Sequence, residues 1–148
     1  MQSQIDQQTG QDFLRGIDLS QPVGLLNLLK FRETALYAPE SGETPCSGVE
    51  AYRRYGEAVA PILEALGAVV YLSGLRELIG PSDEWDMAFV VRYPSGHAYR
   101  SLRGIPAYQA IVHHRQAAVA DSRLMLMQFH EAREVLIGTT GLLTGAAS

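Results

Sequence analysis

Trp85-Asp-Met-Ala-Phe-Val-Val-Arg-Tyr-Pro-Ser95 alternates in the manner of a strand and then stops at a Pro-Ser pair that suits the start of a helix. It echoes an earlier run, Val23-Gly-Leu-Leu-Asn-Leu-Leu-Lys-Phe31, which is almost wholly apolar and therefore suits a strand covered on both faces. Each of these strands is followed by a helical pattern. Along the chain the order reads strand, helix, strand, strand, helix, strand, an α+β arrangement with an antiparallel sheet.

Working outward from the two strands, residues Glu33 to Pro45 lack periodicity and carry Pro39, Gly42 and Pro45, a loop long enough to suggest a lid. Ser47-Gly-Val-Glu50 has capping-box spacing, in which the Ser hydroxyl takes one free backbone N–H and the Glu carboxylate another. Tyr52, Tyr55, Val59, Ile62 and Leu66 then recur at helical steps, leaving Glu50, Arg53, Arg54, Glu57 and Glu64 to water, and Gly67 supplies a left-handed end. Pro61 is expected to bend this helix, because it has no N–H for the carbonyl of Glu57. Ala68 to Ile79 reads as a second strand with a bulge at Ser73-Gly74, turned back by Gly80-Pro-Ser-Asp-Glu84 into a hairpin. Ser95 caps a short helix through Leu102. Gly104-Ile-Pro106 breaks it, a longer helix runs to near Ala120, and Ser122–His130 is the last strand. A helical turn at Gln11–Gly16 precedes all this and a Gly-rich tail follows it. The expected division is an N-terminal extension (1–21), one folded domain (22–130) and a C-terminal tail (131–148).

With 148 residues, 47% of them hydrophobic, the chain has material for one core. A net charge of −4 and no basic cluster beyond Arg53-Arg54 argue against nucleic acid as a partner. The lone Cys46 excludes an intramolecular disulfide, and the first ten residues have neither a basic region nor an apolar core, so a cytoplasmic address is expected. No apolar run approaches the roughly 20 residues of a membrane span, so no membrane association is expected.

Leu26-Asn-Leu-Leu-Lys-Phe-Arg32, Ser47-Gly-Val-Glu-Ala-Tyr-Arg-Arg-Tyr-Gly56, Gly80-Pro81, Trp85-Asp86, Tyr93-Pro-Ser95, Pro106-Ala-Tyr108 and Arg115-Gln-Ala-Ala118 fall in an order that resembles a bacterial family of small proteins of unknown function. That family lies in the ferredoxin-like, dimeric α/β-barrel superfamily. The resemblance covers about residues 22 to 130 and implies a βαββαβ protomer whose sheet pairs with a second copy into an eight-stranded barrel. It implies no reaction, since cofactor-independent oxygenases, isomerases, haem-handling enzymes and stress proteins share this fold. A homodimer is expected on physical grounds too. Val23, Leu25, Leu29 and Phe31 alternate with Leu26 and Leu28, so the face that the helices leave uncovered is also apolar.

Arg115 falls with Tyr108, Ile111, Val112 and Val119 in the apolar stripe of its helix, where a guanidinium must be paired. Asp86 is the expected partner, with anion binding by Arg115 as the functional alternative. Asn27, in the apolar first strand, is a candidate for orienting a ligand carbonyl or for satisfying a backbone group. Tyr52 and Tyr55 lie on the buried helix face as packing residues, Tyr55 also as a candidate ligand contact. His97, in a first helical turn, is a candidate acid or base. His113 and His114 are adjacent, so their side chains are expected to diverge by about 100° and to share no metal. No His, Cys or carboxylate stands at alternating spacing from His130 to complete a site, and Cys46 has no visible His partner. No phosphate loop, nucleophile elbow, CxxC or HExxH is present, so no cofactor and no metal is expected. Two functions fit. One is a cofactor-independent small-molecule enzyme, oxygenase- or isomerase-like, with Asn27 and Arg115 positioning a small organic ligand and Asp86 or His97 moving a proton. The alternative is a non-catalytic dimeric ligand-binding or stress-response module.

Overall fold

Strand β1, Val23–Phe31, runs through the middle of the sheet and sets its two faces. Val23, Leu25, Asn27 and Leu29 are buried toward the helices, whereas Leu26 and Leu28 point to the other side and are half-buried. The computed structural model describes residues 18–74 and 85–131. Within them β2 is Val69–Gly74, β3 Met87–Tyr93 and β4 Val119–Gln128, in the order β2-β3-β1-β4 with every neighbouring pair antiparallel. This is the ferredoxin-like topology.

Helix α1, Gly48–Ala65, starts where the sequence places it, with Ser47 Oγ accepting the N–H of Glu50 at 3.0 Å. The carboxylate of Glu50 does not complete a capping box. It is taken by Arg53, at 2.6 and 2.8 Å, in an ion pair one turn along the helix. Pro61 lies inside the helix with its ring exposed, and α1 continues through it to the left-handed Gly67. At the other end Gly48 sits where three chain segments cross. A Cβ there would run into the carbonyl oxygen of Arg32 and stand 2.9 Å from that of Ala118, so the motif requires glycine for want of space.

The register of β2 shifts between Val70 and Leu72, which moves the expected bulge from Ser73-Gly74 to Tyr71. The expected Gly80–Glu84 turn, the Gln11–Gly16 helical turn and the Gly-rich tail lie outside the described residues. Ser95 caps α2, Gly96–Ser101, by accepting the N–H of Ala98 at 3.0 Å, and a 3-10 turn follows at Leu102–Gly104. The longer helix expected after Pro106 is divided into α3, Pro106–Gln109, and α4, Val112–Ala118. It also ends early, and β4 begins at Val119 rather than Ser122. The cause is tertiary: the Ala118 carbonyl accepts the N–H of Arg32 at 2.8 Å and Val119 pairs with Phe31, so the edge of β1 captures a segment whose alanines would otherwise stay helical.

One buried cluster gathers Val23, Leu25, Ala68, Val91, Tyr93 and Tyr99, a second Leu29, Ala51, Ala118 and Val119, and Phe89 packs against both. The opposite face of the sheet carries Leu26 between Val90 and Met125, with Leu28 beside Ala88. Met125 is 56% exposed there, and Phe129, 50% exposed, lies by Gly24 with the Arg92 guanidinium 5.5 Å from its ring centroid. At the end of that face Arg123 stacks over Trp85, 5.3 Å from the ring centroid. No helix among the described residues is long and apolar enough to cross a membrane.

Candidate functional site

Between the helix-side face of the sheet and the helices lies a cavity of about 830 Å³. Its floor is Leu25, Asn27, Phe89 and Val91 from the two central strands, and its roof is Tyr55, Val59 and Leu63 of α1 with Tyr108 and Val112 across from them. Five tyrosines line it: Tyr52, Tyr55, Tyr93, Tyr99 and Tyr108. They touch in pairs, with ring centroids 5.3 Å apart for Tyr52–Tyr55, 6.4 Å for Tyr55–Tyr108 and 5.2 Å for Tyr93–Tyr99. Tilted and edge-on packing of this kind is the favoured geometry for aromatic pairs.

The charge in this space comes from Arg115, only 6% exposed on α4, and at the rim from Arg103 and Glu64. Burial pushes the Tyr52 phenol up to about 12 despite the nearby Arg115 cation, which pulls the other way. Burial likewise drives Tyr55 and Tyr93 well above the ordinary tyrosine value, reinforced by neighbouring phenols. These phenols are therefore neutral near pH 7 and act as hydrogen-bond donors or acceptors, not as bases. Asn27 gives one amide hydrogen to the Leu25 carbonyl at 3.1 Å and is buried at the cavity floor.

The three candidate ligand contacts of the sequence, Asn27, Tyr55 and Arg115, thus meet in one cavity, although they come from three elements. The two candidate proton-transfer groups do not join them. Asp86 is exposed just before β3, its carboxylate accepting the N–H of Phe31 at 2.8 Å while its own N–H donates to Leu29, so it ties β3 to the end of β1 instead of pairing with Arg115. His97 is exposed on α2, where its backbone N–H donates to Leu19 at 3.0 Å, and it does not line the cavity. Tyr93 and Tyr99 carry no functional signal in the sequence, because each reads as ordinary core, one ending a strand and the other within a short helix. Their chemistry emerges only when α2 folds over β3.

The loop between β1 and α1 is no lid over the cavity. It is pinned at its base by the Thr34–Ser47 bridge and by the N–H of Leu36 donating to Ala117 at 2.9 Å, and it lies across the outer ends of α1 and α4. There a second polar cluster forms. His113 Nε2 is 3.0 Å and His114 Nε2 3.8 Å from Glu43 Oε1, and the imidazole centroids are 4.1 Å apart with the rings tilted by 34°. The expected divergence of adjacent histidines is therefore wrong for this pair. Both side chains turn toward the carboxylate that the loop delivers. The Tyr37 hydroxyl is 2.7 Å from His114 Nδ1, and Arg54, expected to face water, reaches the Thr44 carbonyl at 3.1 Å and Tyr37 at 3.5 Å. The hydrogen bond with His113 holds the Glu43 carboxyl below its usual range, and burial lowers His114.

A family of proteins described as "Domain of unknown function (DUF1330)" matches residues 46–129. A solved protein of unknown function from Rhodopseudomonas palustris is 38% identical, the match covering 84% of this chain and 94% of that one with a TM-score of 0.74. The methylated form of the same protein is 37% identical, covering 84% of this chain and 93% of that one with a TM-score of 0.75. No protein of curated function matches this chain.

Proposed function

Since the chain belongs to the DUF1330 family, a ferredoxin-like group of unknown function in the dimeric α/β-barrel superfamily, we propose its role from the cavity: it binds a small aromatic molecule bearing one anionic or carbonyl group. The observation that carries this is the coincidence of about 830 Å³ of space, five tyrosines and a buried Arg115 in one place. Pockets for small organic ligands span roughly 300–1,000 Å³ and pair apolar walls with a few convergent polar groups. Aromatic walls suit a flat ring, the guanidinium suits a carboxylate or enolate oxygen, and Asn27 and the neutral phenols suit hydrogen bonds to it. The positions of Asp86 and His97 favour the binding module over the proton-transferring enzyme, because neither candidate acid or base borders the ligand space. A homodimer, formed by the apolar back face of the sheet, completes the proposal.

The test is a thermal-shift and calorimetric screen comparing benzoate- and naphthoate-type acids with their neutral amides. Acids are expected to raise the melting temperature more than amides, since only the native state offers the site. Arg115→Met is expected to erase the difference between acid and amide, and Val112→Trp, which fills the cavity, to erase both responses while circular dichroism stays native. Responses in Val112→Trp equal to the wild type would place the ligand elsewhere and end the proposal.

A further inference from the structure

Among the described residues, one group of three imidazole or carboxylate donors has all its ligand atoms within 4.8 Å of one another: Glu43, His113 and His114. None of the three borders the cavity. We propose that they form a separate binding site for a divalent transition-metal ion of the zinc type, with three protein ligands and a coordination position open to solvent.

The argument is geometric. A tetrahedral ion with bonds of about 2.0–2.1 Å holds its donors about 3.3 Å apart. The two His-to-Glu43 separations, 3.0 and 3.8 Å, bracket that value, and all three donor atoms lie within 4.8 Å of one another, so side-chain rotation can gather them about one ion. Two imidazole nitrogens and one carboxylate oxygen select borderline ions such as zinc, cobalt or ferrous iron over magnesium or calcium, which prefer oxygen shells. The surroundings orient the donors. Tyr37 holds His114 at Nδ1, 2.7 Å away, which aims Nε2 at Glu43 and leaves it as the ligating nitrogen. Arg54, with NH1 3.9 Å from Glu43 Oε2, faces the far carboxylate oxygen and leaves Oε1 to the histidines. Binding expels any proton held at the ligating nitrogens, so affinity falls as the solution is acidified. The site is reachable, as His113 and Glu43 are 39% and 28% exposed in their side chains. The Arg54 cation opposes a bare metal charge, so the dissociation constant is expected on the order of micromolar, weaker than a four-ligand structural zinc site.

The experiment uses the full chain, freed of metal with a chelator and desalted, titrated with zinc by calorimetry and with cobalt by visible absorption. One equivalent of zinc is expected to bind, and cobalt to give the intense bands of a low-coordinate, nitrogen- and oxygen-ligated ion. Glu43→Gln, His113→Ala and His114→Ala are each expected to weaken zinc by about tenfold or more. His97→Ala and His130→Ala are expected to change it less than about twofold. Circular dichroism and urea midpoints accompany every variant, and Glu43→Gln, an isosteric change on a loop, carries the test if a helix variant does not fold. A wild-type dissociation constant above about 1 mM, or undiminished binding in Glu43→Gln, overturns the site.

Discussion

Gly48 shows how much a single missing methyl can decide. Its N–H donates to the Arg32 carbonyl at 3.1 Å, and the oxygens of Arg32 and Ala118 close over the position where a side chain would start. Gly48→Ala is therefore expected to cost about 2–3 kcal/mol, the upper range for overpacking, because backbone rather than a flexible side chain must yield. A lowered urea midpoint with an unchanged slope would register it. At this scale the sequence was only partly legible. The cap at Ser47 could be read from four consecutive residues, but the crowding at Gly48 depends on Arg32 and Ala118, far apart in the chain. Asp86 and Arg115 illustrate the same limit. Arg115 is buried among apolar neighbours as its helical stripe implies, whereas Asp86 is exposed just ahead of its strand, and nothing in their spacing reveals that one ties a strand end and the other enters a cavity. Glu43 and His113 stand seventy positions apart, and no local pattern links them.

At the scale of elements, β1 and α1 follow their sequence patterns closely, since the hydrophobic pattern is plain in both and Ser47 caps α1. The segment after Pro106 departs from its pattern, because the capture of Ala118 and Val119 by β1 overrides local helix preference. Pro61 is a different case, a local cost that the fold tolerates. Its ring is exposed, and its position inside α1 denies Glu57 a hydrogen-bond donor. Pro61→Ala is expected to restore that bond and relieve the ring's crowding, stabilising the protein by about 1–2 kcal/mol after the greater freedom of the unfolded chain is allowed for. Chemical denaturation of the two forms side by side checks the sign, which packing of the pyrrolidine against a neighbour would reverse.

For the whole molecule, the question is what covers the second face of the sheet. Leu26, Leu28, Ala88, Val90 and Met127 are half-buried and Met125 more exposed, a run too apolar for a face left to water. Leu26 stands at its centre, paired with Val90 on one side and Met125 on the other. Leu26→Glu is expected to convert the proposed homodimer to monomers by placing a carboxylate in its core, raising the dissociation constant by at least about a hundredfold. Sedimentation velocity across a dilution series measures this, and a wild-type protein already monomeric at micromolar concentration would remove the dimer.

The chain's single tryptophan and its tyrosines are sorted onto opposite sides of the sheet's work. Trp85 stacks under Arg123 at the end of the face proposed to meet a second copy, whereas five of the seven tyrosines ring the interior space. Indole emission and phenol emission are thus two intrinsic optical channels, one tuned to subunit association and one to occupancy. Both events can be followed in unlabelled protein, in the same cuvette.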